Sequence, residues 1–224
     1  IMVEAMAFLR RLTGRKTMLA CGVPLSAAFG RTDYCRVGND VSLWWENRIL
    51  AAAGIRERVS TVNSLRSAVA RRHLNGRAFM NDPDVFILRD ENNHMNLRQR
   101  RTLFILNNIF GGMIFTSDDI DNYSPATMRL FLSMYPLRKK ENIRVVEERG
   151  LYLISFSVGK LDYTVLANLT GRRRKALLGG TSHYRFDPYL MAAEYRNPHE
   201  TVELAPYDTL VFLRLSPEPY TVAG

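Results

Sequence analysis

An arginine and a carboxylate stand four residues apart in Tyr34-Cys35-Arg36-Val37-Gly38-Asn39-Asp40, and Val41-Ser42-Leu43-Trp44-Trp45 follows at once. The short apolar lead-in reads as a strand, and its polar end is where that strand leaves the sheet. A guanidinium placed there offers forked donors suited to a polyhydroxy ligand. A carboxyl walled in by Trp44 and Trp45 would be held protonated by partial desolvation and could serve as an acid. The plainer reading of the same spacing is an ion pair beside two core tryptophans. Other apolar runs end in the same way. Residues 16–21 close on Cys21 before Gly22-Val23-Pro24, residues 78–80 run into Asn81-Asp82-Pro83-Asp84, and residues 113–116 end at Ser117-Asp118-Asp119.

The elements that must position these groups alternate. Apolar residues recur at three and four through Val62, Leu65, Ala68, Val69 and Leu74, through Leu97, Leu103, Leu106 and Phe110, and through Met128, Leu132 and Tyr135. This is the spacing of amphipathic helices. Strand and helix in alternation predict a parallel sheet of α/β class, with polar residues gathered after each strand, as in a (β/α)8 barrel whose chemistry sits at the strands' C-terminal ends. Beyond Lys139-Lys140 the period changes to two, with strands expected over residues 143–146, 151–158, 161–169 and 209–215. The expectation is therefore two domains, a barrel portion over 1–140 and an antiparallel β-sandwich over 141–224.

Composition narrows the function classes. With 46% hydrophobic and 24% charged residues in 224, the chain reads as globular, and no apolar run reaches the roughly 18 residues of a membrane span. The opening segment lacks the order of a signal peptide, which favours a cytoplasmic setting. A net charge of +9 permits nucleic-acid binding, but the arginines are scattered. The densest run, Arg172-Arg173-Arg174-Lys175, follows Gly171 and reads as a solvated turn, so nucleic acid is not the expected partner. Cys21 and Cys35 are too few for a disulfide framework, though they could pair. His73, His94, His183 and His199 show no metal spacing, and Asn168-Leu169-Thr170 matches a glycosylation sequon that arises often by chance.

Taken in order, Cys21-Gly22-Val23-Pro24-Leu25, Arg36 with Asp40 and a following Trp, Asn81-Asp82-Pro83-Asp84, and Ser117-Asp118-Asp119 resemble the latter half of the catalytic barrel of the α-galactosidase (melibiase) clan, glycoside hydrolases of the family 36 and 27 type. The resemblance covers most of residues 15–125, and the antiparallel tail is similar to that clan's C-terminal β domain. It implies that Asp40 is the general acid/base, that Arg36, Cys21, Asp84 and Trp45 bind the sugar, and that Asp82 and Asn81 support them. Many relatives carry a serine and glycine run after the cysteine. Here Gly22-Val23-Pro24-Leu25 stands instead, a departure that leaves strict galactose preference open.

The resemblance implies a retaining α-galactosidase that needs no metal or cofactor. Its nucleophile is expected on an earlier barrel strand, in a Lys-x-Asp segment, and no Asp precedes Asp33 here. The chain is thus expected to hold strands five to eight of the barrel plus the tail. Its open parallel edges are expected to drive association with the missing half or with a second copy. The alternatives are a carbohydrate-binding or structural remnant without catalysis, and a basic nucleic-acid-binding protein whose affinity would fall steeply with salt.

Overall fold

The structure is a computed structural model and describes residues 1–55 and 60–215. The chain forms two compact units, Ile1–Asn122 and Tyr123–Gly224. Among the described residues no helix is long and apolar enough to cross a membrane.

The first unit runs α1 (Met2–Thr13), β1 (Leu19–Ala20), α2 (Leu25–Ala28), β2 (Tyr34–Arg36), α3 (Arg48–Ala52), α4 (Thr61–Ala70), β3 (Met80–Asp82), β4 (Val85–Phe86), α5 (Leu97–Phe110) and β5 (Phe115–Thr116). The two long inner helices start where their sequences say they should. The Ser60 side chain accepts the Asn63 N–H ahead of α4, and Asn96 with Gln99 forms a reciprocal capping box ahead of α5. Helix α5 buries nearly its whole length, with Phe104 meeting Phe86 of β4 edge to face at 4.8 Å between centroids.

All strand pairings in this unit are parallel, as the alternation predicts. Strands β1, β2 and β3 lie side by side, and β4 pairs with β5. Ala20, Cys35 and Asn81 share one register level and are buried. Leu19, Tyr34 and Met80 share the level before it and point to the opposite face, where Leu19 and Met80 remain exposed. That face is the inner layer of a barrel wall, and it stands open. Between β3 and β4 the chain breaks step at Asp84, whose φ of 75° is left-handed. Asn107 of α5 donates its side-chain amide to the carbonyls of Asp84 and Val85, at 3.2 and 3.3 Å, satisfying acceptors that the broken ladder leaves free.

The second unit holds α6 (Pro125–Ser133), β6 (Glu141–Glu148), β7 (Leu151–Val158), β8 (Leu161–Asn168), β9 (Arg174–Leu177), β10 (His183–Asp187), β11 (Ala192–Arg196), β12 (Thr201–Leu204) and β13 (Thr209–Arg214). Helix α6 opens with Pro125 and the Ser124 cap, as its sequence suggests, and falls between the change of period at 140 and the division of the two units. A six-stranded antiparallel sheet in the order β11-β10-β13-β8-β7-β6 faces the β9–β12 pair. Leu166, Leu210 and Phe212 from the large sheet close on Leu178, Val202 and Leu204, the core of the sandwich.

One reading of this half changes. Arg174 and Lys175 lie in β9 rather than in a turn, and Arg173 is paired with Glu203 on β12 at 2.5 Å. Asn168 is fully buried, with its amide donated to the carbonyls of Arg172 and Ala205 at 2.7 and 2.8 Å, so the folded sequon has no free nitrogen to modify. His183 is buried edge-on to Phe212, 6.0 Å between centroids. Burial first, then the charge of Arg214, lowers its pKa below 6.5 against an opposing hydrogen bond to Thr181. The unfolded chain therefore takes up this proton before the folded one does, and stability falls as pH drops below about 6.5. We expect the urea midpoint to decline between about pH 7.5 and 5.5, above the carboxylate range, and His183→Leu to flatten that decline.

Candidate active site

Three parallel strands carry the site. One residue past the level of Ala20, Cys35 and Asn81, the register brings Cys21, Arg36 and Asp82 together at the C-terminal edge. Successive residues of a strand alternate sides, so these three lie on the face opposite to Cys35 and Asn81. Cys35, on the other side, has its thiol pKa pushed up to about 11, by burial first and then by the negative charge of Asp82. The expected option of a Cys21–Cys35 disulfide is not taken: both thiols are free, and the one-residue offset sends them to opposite faces.

Arg36 is the hub. Its Nε reaches Asp82 at 2.8 Å, one terminal nitrogen reaches Asp84 at 2.9 Å, and the other reaches Asp40 at 3.1 Å. Burial works against its charge, yet the hydrogen bond and charge of Asp82, followed by Asp84 and Cys21, outweigh that and raise its pKa. The two buried acids are used on both oxygens. Asp82, fully buried, also accepts the Asp84 N–H at 2.9 Å, and Asp84 also accepts the Val41 N–H at 2.6 Å. Asp84 thereby ties the loop after β2 to the turn after β3. Asn81 faces away from this cluster, bonded to Asn75 and to the Arg71 carbonyl, and holds the strand rather than the pocket.

Asp40 differs in kind. Its side chain is 74% exposed. The tryptophan wall expected to desolvate it is not there, because the two rings go elsewhere. Trp45 is only 6% exposed, turned into the core where its carbonyl accepts the Val62 N–H of α4. Trp44 is 54% exposed and stacks on His94 with centroids 3.7 Å apart. Trp45, named from the sequence as a sugar contact, is thus a core residue, and the ring available to a ligand belongs to Trp44. The sequence signal for Trp44 was only its adjacency, and nothing marked His94 as its neighbour.

The approach of the Arg36–Asp40 loop to α4 depends on Gly38. A Cβ added there would sit 2.9 Å from Ser64 Oγ and 3.1 Å from Ser64 backbone atoms, and Ser64 is buried. We expect Gly38→Ala to destabilise by about 1–3 kcal/mol in urea titration, and Ser64→Ala in the same chain to recover only part, since backbone contacts remain. On the far strand, Asp118 accepts the Leu88 and Arg89 N–H groups and pairs with Arg89 at 2.7 Å. It clamps the β4 and β5 ends.

No family model matches the chain. Solved structures do. The α-galactosidase I of Mortierella vinacea superposes with a TM-score of 0.72 at 16% identity, over 95% of this chain and 62% of that one. A GH27 β-L-arabinopyranosidase of Geobacillus stearothermophilus gives 0.74 at 12% identity, over 99% and 55%. The α-galactosidase of Thermus thermophilus, in complex with p-nitrophenyl α-D-galactopyranoside, gives 0.55 at 26% identity, over 71% and 32%. The chain thus spans less than two thirds of each of these three. A parallel strand-and-helix unit followed by an antiparallel sandwich, superposing on these enzymes over almost its whole length, has the fold of the α-galactosidase group of glycoside hydrolases, from the later barrel strands through the β domain.

Proposed function

We propose that this chain carries the sugar-binding edge and the general acid/base of a retaining glycosidase acting on terminal α-galactosides. The observation that supports it most is the convergence of Asp40, Asp82 and Asp84 on Arg36 at one strand edge. Asp82 and Asp84 fix the guanidinium, Asp84 and Cys21 offer a carboxylate and a thiol to sugar hydroxyls, and Asp40 alone of the three acids is free to reach a departing oxygen. In retention one carboxyl attacks the anomeric carbon while the other protonates the leaving oxygen and later removes a proton from water, the two standing about 5–5.5 Å apart. Asp40 takes the second role. Neither Asp82 nor Asp84 can take the first, being buried and bonded on both oxygens. The attacking carboxylate is supplied by polypeptide beyond this edge, across the open inner face.

Calorimetric titration with galactose and a nitrophenyl α-galactoside assay test this together. The expected result is saturable galactose binding with turnover no faster than background. Turnover near that of intact glycosidases, abolished by Asp40→Asn, would place the nucleophile within these residues and overturn the assignment. Binding unaffected by loss of Arg36 would remove the sugar site altogether.

A further inference from the structure

We infer that the N-terminal edge of the parallel sheet in the first unit is a docking face for an anionic lipid surface. Three segments feed β1, β2 and β3 at that edge, residues 10–16, 29–33 and 71–79, and together they hold eight arginines and lysines against one carboxylate, Asp33. Hydrogen bonds bring the segments side by side. Arg10 donates to the Lys16 carbonyl at 3.2 Å, to the Arg31 carbonyl at 2.7 Å and to Asp33 at 2.6 Å, and the Gly30 N–H is donated to the Ala78 carbonyl at 3.3 Å. Asp33 is thereby neutralised by Arg10, and Arg71 turns inward to the Val37 carbonyl. Arg11, Arg15, Lys16, Arg31, Arg72 and Arg77 remain, none of them in an ion pair with a described residue.

The opposite edge carries the opposite sign. The segments that follow β2, β3 and β5, residues 37–47, 83–96 and 117–122, hold eight carboxylates against the single cation Arg89. A negative surface therefore attracts one edge and repels the other, and the unit settles on it with the candidate site turned to solution. Exposed apolar side chains stand among the cations and select the partner. Leu12, in the last turn of α1 next to Arg11, is 68% exposed, Phe29 beside Arg31 is 42% exposed, and Phe8 lies one turn before Leu12 on the same stripe at 52%. A lipid surface takes such residues among its acyl chains while arginine and lysine stay at the level of the headgroups. A nucleic-acid strand offers stacking to rings and nothing comparable to an exposed leucine.

The test is cosedimentation of the whole chain with vesicles of phosphatidylcholine alone and of phosphatidylcholine carrying about a third phosphatidylserine. The native chain is expected to bind the anionic vesicles and not the neutral ones, with an affinity that falls steeply as salt rises. Arg15→Gln combined with Lys16→Gln is expected to weaken binding about 20-fold, and Arg77→Gln, on a separate segment, about fivefold. Leu12→Ser is expected to cost about fivefold while leaving the salt dependence unchanged. These side chains are exposed, so urea midpoints should stay at the native value and mark each loss as local. Equal binding to neutral and anionic vesicles, or native affinity in the Arg15 and Lys16 double variant, overturns the docking face. A random DNA duplex that displaces the anionic vesicles from the native and Leu12→Ser chains alike makes the partner a nucleic acid and overturns the lipid assignment. Galactose binding, read at the opposite edge, is independent of every one of these results.

Discussion

Replacing Asp82 with alanine lowers the unfolding free energy of the first unit by about 3–5 kcal/mol, the range for a buried ion pair deprived of one partner. Asp82 has no solvent exposure, and it serves the Nε of Arg36 on one oxygen and the Asp84 N–H on the other. Its removal leaves a mostly buried guanidinium short of a counter-charge and an unpaired amide at a left-handed residue. Asp82→Asn is the sharper comparison. It keeps the shape and the acceptor for Asp84, loses the charge, and sets an N–H₂ or a neutral oxygen against Arg36, so it should fall between native and alanine. Urea unfolding followed by tryptophan fluorescence reads the first unit, which contains Trp44 and Trp45. A loss under about 1 kcal/mol for the alanine variant would mean that water or a moved side chain replaces the carboxylate, and that the hub is looser than its distances indicate.

Arg36→Lys removes galactose binding by about 100-fold although the charge is kept. A guanidinium holds three carboxylates at once because its donors lie in a rigid planar fork. Here they are shared among Asp82, Asp84 and Asp40 at 2.8, 2.9 and 3.1 Å. An ammonium is a single point on a flexible stem and cannot span three such positions from the same strand register. Asp84 then turns from the position in which Arg36 holds it, and the loop that it tethers through the Val41 N–H moves with it. Affinity within about threefold of native would show that the charge alone suffices and that the fork contributes little. Stability should also decline, because Asp82 stays buried with a poorer partner. Asp40→Asn, by contrast, touches an exposed side chain with one bond to Arg36, and should leave both stability and galactose affinity nearly intact.

The parallel half was legible because each strand end is written locally. A short apolar run, a polar terminus and a helical period after it give away Cys21, Arg36 and Asp82, and the register then places them side by side. The rings were not legible in the same way. Trp44 and Trp45 are adjacent and identical in type, and which one enters the core is decided by α4 and by His94, residues remote in sequence. The expected tryptophan wall around Asp40 is missing for that reason, since burial is a property of the folded surroundings. In the sandwich, β10 and β11 escaped notice because exposed rings stand at Tyr184 and Phe186 where polar residues are expected, and Glu194 and Tyr195 are exposed in succession. Such strands lack the polar-out pattern that β7 and β8 display, and their pairing comes from the sheet rather than from local preference.

The left-handed backbone at Asp84 restricts how this edge can drift. Glycine and asparagine tolerate that conformation, and most other side chains do not. Asparagine keeps an oxygen for the Val41 amide while surrendering the negative charge, so the mildest heritable change at this position yields a folded chain with a muted pocket. The Arg36 cluster can therefore lose one of its charges here without the chain first losing its shape.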